Sequence, residues 1–346
     1  MKVINFVKTN ENDTNNELLI VNLKKQFQSC NINLLLGAGF SYGVAEILGN
    51  IEKEISRAEI EDDGSKVLQL KKDFFIKSIL PTIDKEKAKI GEDERIRFLG
   101  IVKKIIDNRQ SSILHKIVNV FTTNYDLLIE SALEKSNVEY TDGFSGKIAP
   151  KFSSANYGII LSKQTSISNM TSEMTTFNLY KVHGSLNWFC KDDDIYRVDP
   201  TELINNIYAR INMEEFEEVY EKLAIVNPSK NKLKQTVLNV NYYDLLRLYC
   251  NELEKNNTVL FSFGFSFADE HILQMTKRSL ASNPTLSLLI FSFNEESTNG
   301  YKEKFKDFSN VTLFQLTKKE DNSDVAIPFT QIELNNILEE VYDGTK

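Results

Sequence analysis

Short apolar runs that stop abruptly at polar or glycine-rich turns organise this chain, and after most of the turns the pattern switches to helical spacing. The clearest case lies between Val118 and Glu130. Val118, Val120 and Phe121 read as a buried strand, Thr123, Asn124 and Asp126 stand in the turn, and Leu127, Leu128, Ile129, Ala132 and Leu133 then recur as one face of a helix. Asn33–Leu36, Leu179–His183, Thr258–Phe263, Leu286–Phe291 and Val311–Leu316 read as further strands. Helical spacing runs from Asn15 to about Phe27, through Val44, Ala45 and Leu48, and across Ile96, Leu99, Val102, Ile105 and Ile106. It returns over Glu202–Leu223 and Tyr242–Leu253, from His271 to Leu280, and from Ile332 to Tyr342. Strands alternating with helices predict an α/β fold on a Rossmann-like, mostly parallel sheet.

Residues 1–18, polar and rich in Asn, read as an arm or an assembly contact, and 19–346 as one domain with helical insertions at about 51–116 and 200–253. Charge runs in the first insertion, such as Lys85–Lys89, read as solvated helix faces. The turn-rich stretch from Phe144 to Thr176 reads as a binding loop or a cover for a site.

In an open α/β sheet, ligands sit outside the carboxyl ends of the strands, which makes the turns there the candidates for chemistry. Gly37-Ala38-Gly39-Phe40-Ser41 has glycines that let a backbone approach a pyrophosphate. As a dinucleotide fingerprint it is incomplete, because Tyr42 stands where a third glycine is expected and no acidic residue ends an obvious second strand. Thr123, Asn124 and Asp126 are polar groups on a rigid turn, although Thr123 and Asp126 also have the spacing of an N-cap and its capping-box partner. His183, before Gly184-Ser185, is either a general base or a hydrogen-bonded turn residue. Gly264-Phe265-Ser266 ends another strand, with Ser266 and Asp269 again at capping-box spacing, and Asn294-Glu295 lies beyond the next.

Composition narrows the field. The 346 residues suffice for one large α/β domain or two ordinary ones, and 41% hydrophobic with 26% charged residues argues against extensive disorder. A net charge of -8 removes any overall positive field for nucleic acid or an anionic membrane. No apolar run approaches the roughly 20 residues of a membrane span, and the N-terminus lacks the apolar core of a signal peptide, so a cytoplasmic location is expected. Cys30, Cys190 and Cys250 form no C-x-x-C pair, so neither a disulfide framework nor a zinc ribbon is indicated. His115, His183 and His271 are far apart in sequence and lie in no H-E-x-x-H pattern, so no metal is expected.

Taken in order, Gly37-Ala-Gly-Phe-Ser41, Thr123-Asn-Tyr-Asp126, Lys181-Val-His-Gly-Ser185 and Gly264-Phe-Ser266 resemble four motifs of the sirtuin superfamily: the G-A-G-x-S turn, the T-Q-N-I-D segment, the H-G segment and the G-T-S turn. Asn294-Glu295 is similar to that family's adenosine-contacting I-N-x-E loop, and the resemblance spans roughly Asn33 to Leu316. Protein-deacylating sirtuins also carry a zinc ribbon of two C-x-x-C pairs and a G-I-P-D-F-R-S continuation after the glycine turn. Both help to build the acyl-lysine cleft, and both are missing here. The pattern is more similar to the zinc-free sirtuin-like domains of bacterial antiphage defence proteins, which hydrolyse NAD.

That resemblance implies an NAD+ glycohydrolase giving nicotinamide and ADP-ribose, with NAD+ as the substrate and no metal. It implies that Asn124 holds the ribose and the attacking water, that Asp126 binds the carboxamide, and that His183 acts as base, a role suited to an imidazole whose unperturbed pKa lies near 6.5. Gly37, Ala38, Gly39 and Ser41, with Thr123, Gly264 and Ser266 close by, would hold the pyrophosphate side and Asn294 the adenosine side. It further implies a homo-oligomer restrained until a signal or a partner arrives, such as a ring-forming ATPase or another defence protein. A non-catalytic NAD or ADP-ribose binding subunit and an ADP-ribosyltransferase or deacylase are the alternatives.

Overall fold

The apolar runs become neighbouring strands of one sheet in a computed structural model that describes residues 1–7, 14–45, 51–111, 113–164, 170–191, 194–209, 216–220, 223–225, 240–320 and 323–343. In chain order its strands are β1 (Lys2–Val7), β2 (Asn31–Leu36), β3 (Ile117–Thr122), β4 (Glu139–Thr141), β5 (Thr176–Lys181), β6 (Thr258–Phe263), β7 (Leu286–Ser292), β8 (Val311–Glu320) and β9 (Ser323–Ile327). Across the sheet they run β1-β8-β7-β6-β2-β3-β5-β4, every pair parallel, with β9 added antiparallel on β8. The fold is therefore the Rossmann-like, mostly parallel α/β arrangement that the periodicity predicts.

Parallel strands need helical crossovers, and helices on both faces make both faces apolar. Ile32, Leu34, Leu36, Val118, Val120, Val259, Phe261 and Phe263 point into one core, closed by the helices Thr14–Ser29, Glu92–Asp107, Leu128–Lys135 and Gln331–Asp343. Leu35, Phe121 and Leu260 point into the other, under the helices Val240–Glu254, Glu270–Ser282 and Glu295–Phe305. Each such side chain contributes about 1.5–3 kcal/mol of burial. Two helices read as parts of insertions thus belong to the layers that cover the sheet.

Several expected elements differ from the structure. Lys2–Val7, inside the stretch read as a polar arm, is an edge strand parallel to β8, because Phe6 buries its ring against Phe314 at 5.3 Å. The helix read through Val44 and Ala45 is absent at those residues: Ala38–Ser41 form one 3-10 turn, 42–45 are turn, and Leu48 lies outside the described residues. The stretch read as a cover partly joins the core, since Phe144–Ser145 and Lys151–Phe152 pair within a five-stranded antiparallel sheet with Gly184–Lys191, Asp194–Arg197 and Leu223–Ile225. Phe152 and Tyr157 are buried there, while 165–169 lie outside the described residues.

Register is held by a buried polar ladder. Asn33, Asn119 and Asn178 are directly opposite one another on β2, β3 and β5, and Asn119 donates to Asn33 Oδ1 and to Glu252 Oε2, both at 2.9 Å. Asn178 donates to Asn119 Oδ1 at 2.9 Å. A slip of one residue would turn these amides onto the other face and leave them unpaired in an apolar layer. The same registers level Phe263, Leu36, Thr122 and Lys181 at the carboxyl ends of β6, β2, β3 and β5, so the turns that follow stand side by side. Asn119→Ala is expected to destabilise the protein by about 2 kcal/mol or more in urea unfolding, because it strands the amides of Asn33 and Asn178 together. A loss within error would show that the ladder is incidental.

Candidate functional site

The first two turns meet through their backbones. Gly39 N donates to Gly264 O at 2.9 Å and Gly37 N to Phe263 O at 3.2 Å. The approach admits no side chains: a Cβ on Gly37 would lie 2.5 Å from Gly264 O, and one on Gly264 would lie 2.6 Å from Gly39 Cα. Gly264 also has φ +65, a left-handed conformation that favours glycine. These glycines therefore have a packing duty whatever ligand they meet.

The turn after β3 closes on the glycine turn. Asn124, 8% exposed, donates its amide N–H groups to Gly37 O and Ser41 Oγ, each at 3.0 Å. Ser41 in turn donates to Asp126 Oδ2 at 2.8 Å. Thus Ser41, Asn124 and Asp126, far apart in sequence, form one hydrogen-bonded group. The NH2 of Asn124 is thereby committed within the protein. Thr123 is half-buried beside it and is not the N-cap. The helix begins later, at Leu128 with Leu127 as N-cap, and Asp126 Oδ1 accepts from Leu128 N at 3.1 Å, so Asp126 supports the helix start as an Asx turn instead of as a capping-box partner.

Buried charge surrounds this turn. Lys181, 1% exposed at the end of β5, donates to the carbonyl oxygen of Asp126 and lies 3.1 Å from Glu130 Oε1. Burial pushes the Glu130 carboxyl up, and the Lys181 ammonium opposes that. Arg95 is also buried; desolvation lowers its pKa, opposed by the charges of Asp126 and Glu92, and its guanidinium donates to Ile90 O and Ala88 O.

His183 occupies the turn after β5. Val182 N donates to Thr122 O, Leu186 N and Ser185 Oγ donate to Tyr125 O, and the Tyr125 ring lies 6.4 Å from the imidazole. Gly184 has φ +82, which lets the chain reverse into the strand Gly184–Lys191. His183 is 1% exposed and its Nε2 lies 3.2 Å from His271 Nε2, so the sequence separation that argues against a histidine cluster is removed by the fold. Asp269 joins them, and ligand atoms of the three lie within 4.8 Å of one another, a set that could hold a metal ion.

The remaining expected residues lie along the same edge. Ser266 is exposed and its carbonyl accepts from Lys304 Nζ at 2.7 Å; the cap expected of it is not formed, because Asp269 is the N-cap of Glu270–Ser282. Between them Phe267 adopts φ +52, with its ring buried against Phe265 and Phe305. Asn294 is the N-cap of Glu295–Phe305, and its side chain and that of Ser297 form a reciprocal capping box. Its neighbour Phe293 and Tyr42 of the glycine turn are exposed rings 6.1 Å apart. Sequence reasoning misses Lys181, Glu130, Asp269, His271, Tyr42 and Phe293. A lysine ending an apolar strand and an Asp-x-His pair just past a strand-end glycine are the signals that point to Lys181, Asp269 and His271.

A protein-family model described as SIR2-like domain matches residues 118–314, more than half of the chain, taking in Asn124, Asp126, His183, Asp269, His271 and Asn294 but not the first glycine turn. No curated protein matches the sequence.

The glycine contact is testable apart from any activity. Gly264→Ala is expected to cost at least about 2 kcal/mol, because strain at positive φ adds to a backbone clash. Gly300→Ala, where a Cβ meets nothing within 4 Å in the helix Glu295–Phe305, should be neutral or slightly stabilising. Equal stability of the two variants in denaturant titration would refute the interlock.

Proposed function

Since the chain belongs to the SIR2-like domain family, we propose that it binds NAD+ and hydrolyses the nicotinamide–ribose bond to nicotinamide and ADP-ribose. The observation that carries this reading is the joining of Asn124, Ser41 and Asp126 in one hydrogen-bonded group beside the His183 turn. Breaking the bond passes through an oxocarbenium-like transition state, and the pyridinium leaves as neutral nicotinamide without help from an acid. The protein's task is to orient the ribose and one water and to take up the proton that the water loses.

In this reading the Asn124 carbonyl oxygen holds the ribose or the attacking water, Asp126 accepts from the carboxamide, and His183 is the base. Gly37, Ala38, Gly39, Ser41 and Thr123 line the pyrophosphate side with Gly264 and Ser266. Asn294 lies toward the adenosine, where Tyr42 and Phe293 offer faces for a purine. No residue set for a zinc ribbon is present in the sequence, which favours water over an acyl-lysine as the acceptor.

Unrestrained NAD+ destruction would harm the cell that makes the protein, so we assign it an antiphage defence role in the cytoplasm, with activity gated by self-association or by a partner such as a ring-forming ATPase. Consecutive Ile159, Ile160 and Leu161 are 48%, 45% and 36% exposed, an apolar run suited to such a contact.

Asn124→Ala and His183→Ala should each lower nicotinamide release from NAD+ by about 100-fold or more while the circular dichroism stays parental. Near-parental turnover in either would remove that residue from the chemistry, and chromatography of the second product separates hydrolysis from cyclisation or transfer. Ile160→Ser should shift the light-scattering mass downward and change specific activity; a parental mass and activity would exclude this run as the assembly contact.

A further inference from the structure

The two buried histidines constrain each other. Their Nε2 atoms lie 3.2 Å apart and their rings are 5.3 Å apart, tilted by 40°. Two N–H groups cannot point at each other at that distance, so a direct bond requires one Nε2 to be a donor and the other a bare acceptor. Asp269 Oδ1 lies 3.9 Å from His183 Nε2 and 4.0 Å from His271 Nδ1. Asp269 stands at the N-cap of Glu270–Ser282, where an aspartate commonly caps the helix, yet it makes no side-chain cap hydrogen bond. Its carboxylate lies on the side of the two imidazoles. The side chains of His183 and His271 are 2% and 7% exposed, so two imidazolium charges side by side would repel strongly with little water to screen them. The pair is thus suited to share one hydrogen bond between its Nε2 atoms, with one imidazole donating and the other accepting.

We propose that His271 is a positioning residue for the base His183, fixing which imidazole nitrogen of His183 carries its proton, and that Asp269 balances the positive charge the pair gains during turnover. The proposal rests on the hydrolase reading of the site. As the bond from C1′ to the pyridinium nitrogen breaks, its electrons leave with nicotinamide, which becomes neutral. The water oxygen bonds to C1′ and its proton passes to His183. The positive charge lost from the pyridinium reappears on the histidine pair beside Asp269, so charge and atoms balance without an added reactant. An aromatic replacement of His271 would fill the space but could neither donate to His183 nor accept from it, whereas glutamine keeps a polar amide there.

The chain has three histidines, and the third, His115, is 57% exposed and serves as an internal reference, so 15N-histidine labelling of the full chain gives a readable spectrum. One Nε2 of the buried pair should appear protonated and the other bare, and His271→Phe should alter the His183 signals. Two protonated Nε2 atoms would overturn the proposal. So would two bare ones accompanied by stoichiometric zinc in protein purified without added metal, which would make the cluster a metal site. In steady-state assays His271→Phe should lower kcat about 100-fold with KM for NAD+ within a few-fold, and His271→Gln should recover part of the loss. A parental kcat in His271→Phe, or equal losses in the two variants, would refute a positioning role. If the parental chain does not cleave NAD+, the hydrolase reading falls, while the spectra still decide the pair.

Discussion

A lysine ammonium sealed behind the turn after β3 holds the site together. Lys181 has almost no access to water, so its charge has to be met inside the protein, by Glu130 on the following helix and by the carbonyl of Asp126. Those two bonds tie the end of β5 to the start of Leu128–Lys135 and fix the intervening turn. Three further contacts of the site use that turn: Asn124 reaches across to the glycine turn, Asp126 receives Ser41, and Tyr125 O anchors the backbone just past His183. A buried ion pair contributes little net stability compared with an apolar substitute, but it specifies geometry because neither partner tolerates the loss of the other.

The sheet carries polar groups at two levels. Near the amino ends, the amides of Asn33, Asn119 and Asn178 with Glu252 set the register; at the carboxyl ends, the turns hold the polar groups of the candidate site. The levels are coupled, since a parallel sheet in which one strand slips moves its turn out of line with its neighbours. Between them lies an apolar middle supplied by both cores.

Much of this is legible in the sequence. Strands buried on both faces read as continuous apolar runs, which is why β2, β3, β6, β7 and β8 stand out, and strand-end turns carrying glycine, asparagine and histidine mark the edge where they meet. The edge strand β1 is hidden because the Asn-rich residues after it dominate the local composition, although Ile4 and Phe6 share a face. Cap assignments fail for Asp126 and Asp269 because spacing alone does not reveal where a helix begins, and a carboxylate near a helix start can be drawn to other partners. His183 and His271 are 88 residues apart, and only the pairing of β5, β3, β2 and β6 in one sheet brings their turns together. Lys181 looks like the polar end of a strand until the fold buries it.

The group formed by Ser41, Asn124 and Asp126 satisfies its own hydrogen-bonding capacity in large part. Displacing any one of these bonds without replacing it strands a donor or acceptor, a penalty of about 1–3 kcal/mol for each. A molecule with a matching set of hydroxyl and amide groups trades bond for bond and bears no such penalty. The cost of a mismatch at this group is thus set by the resting protein's own hydrogen bonds.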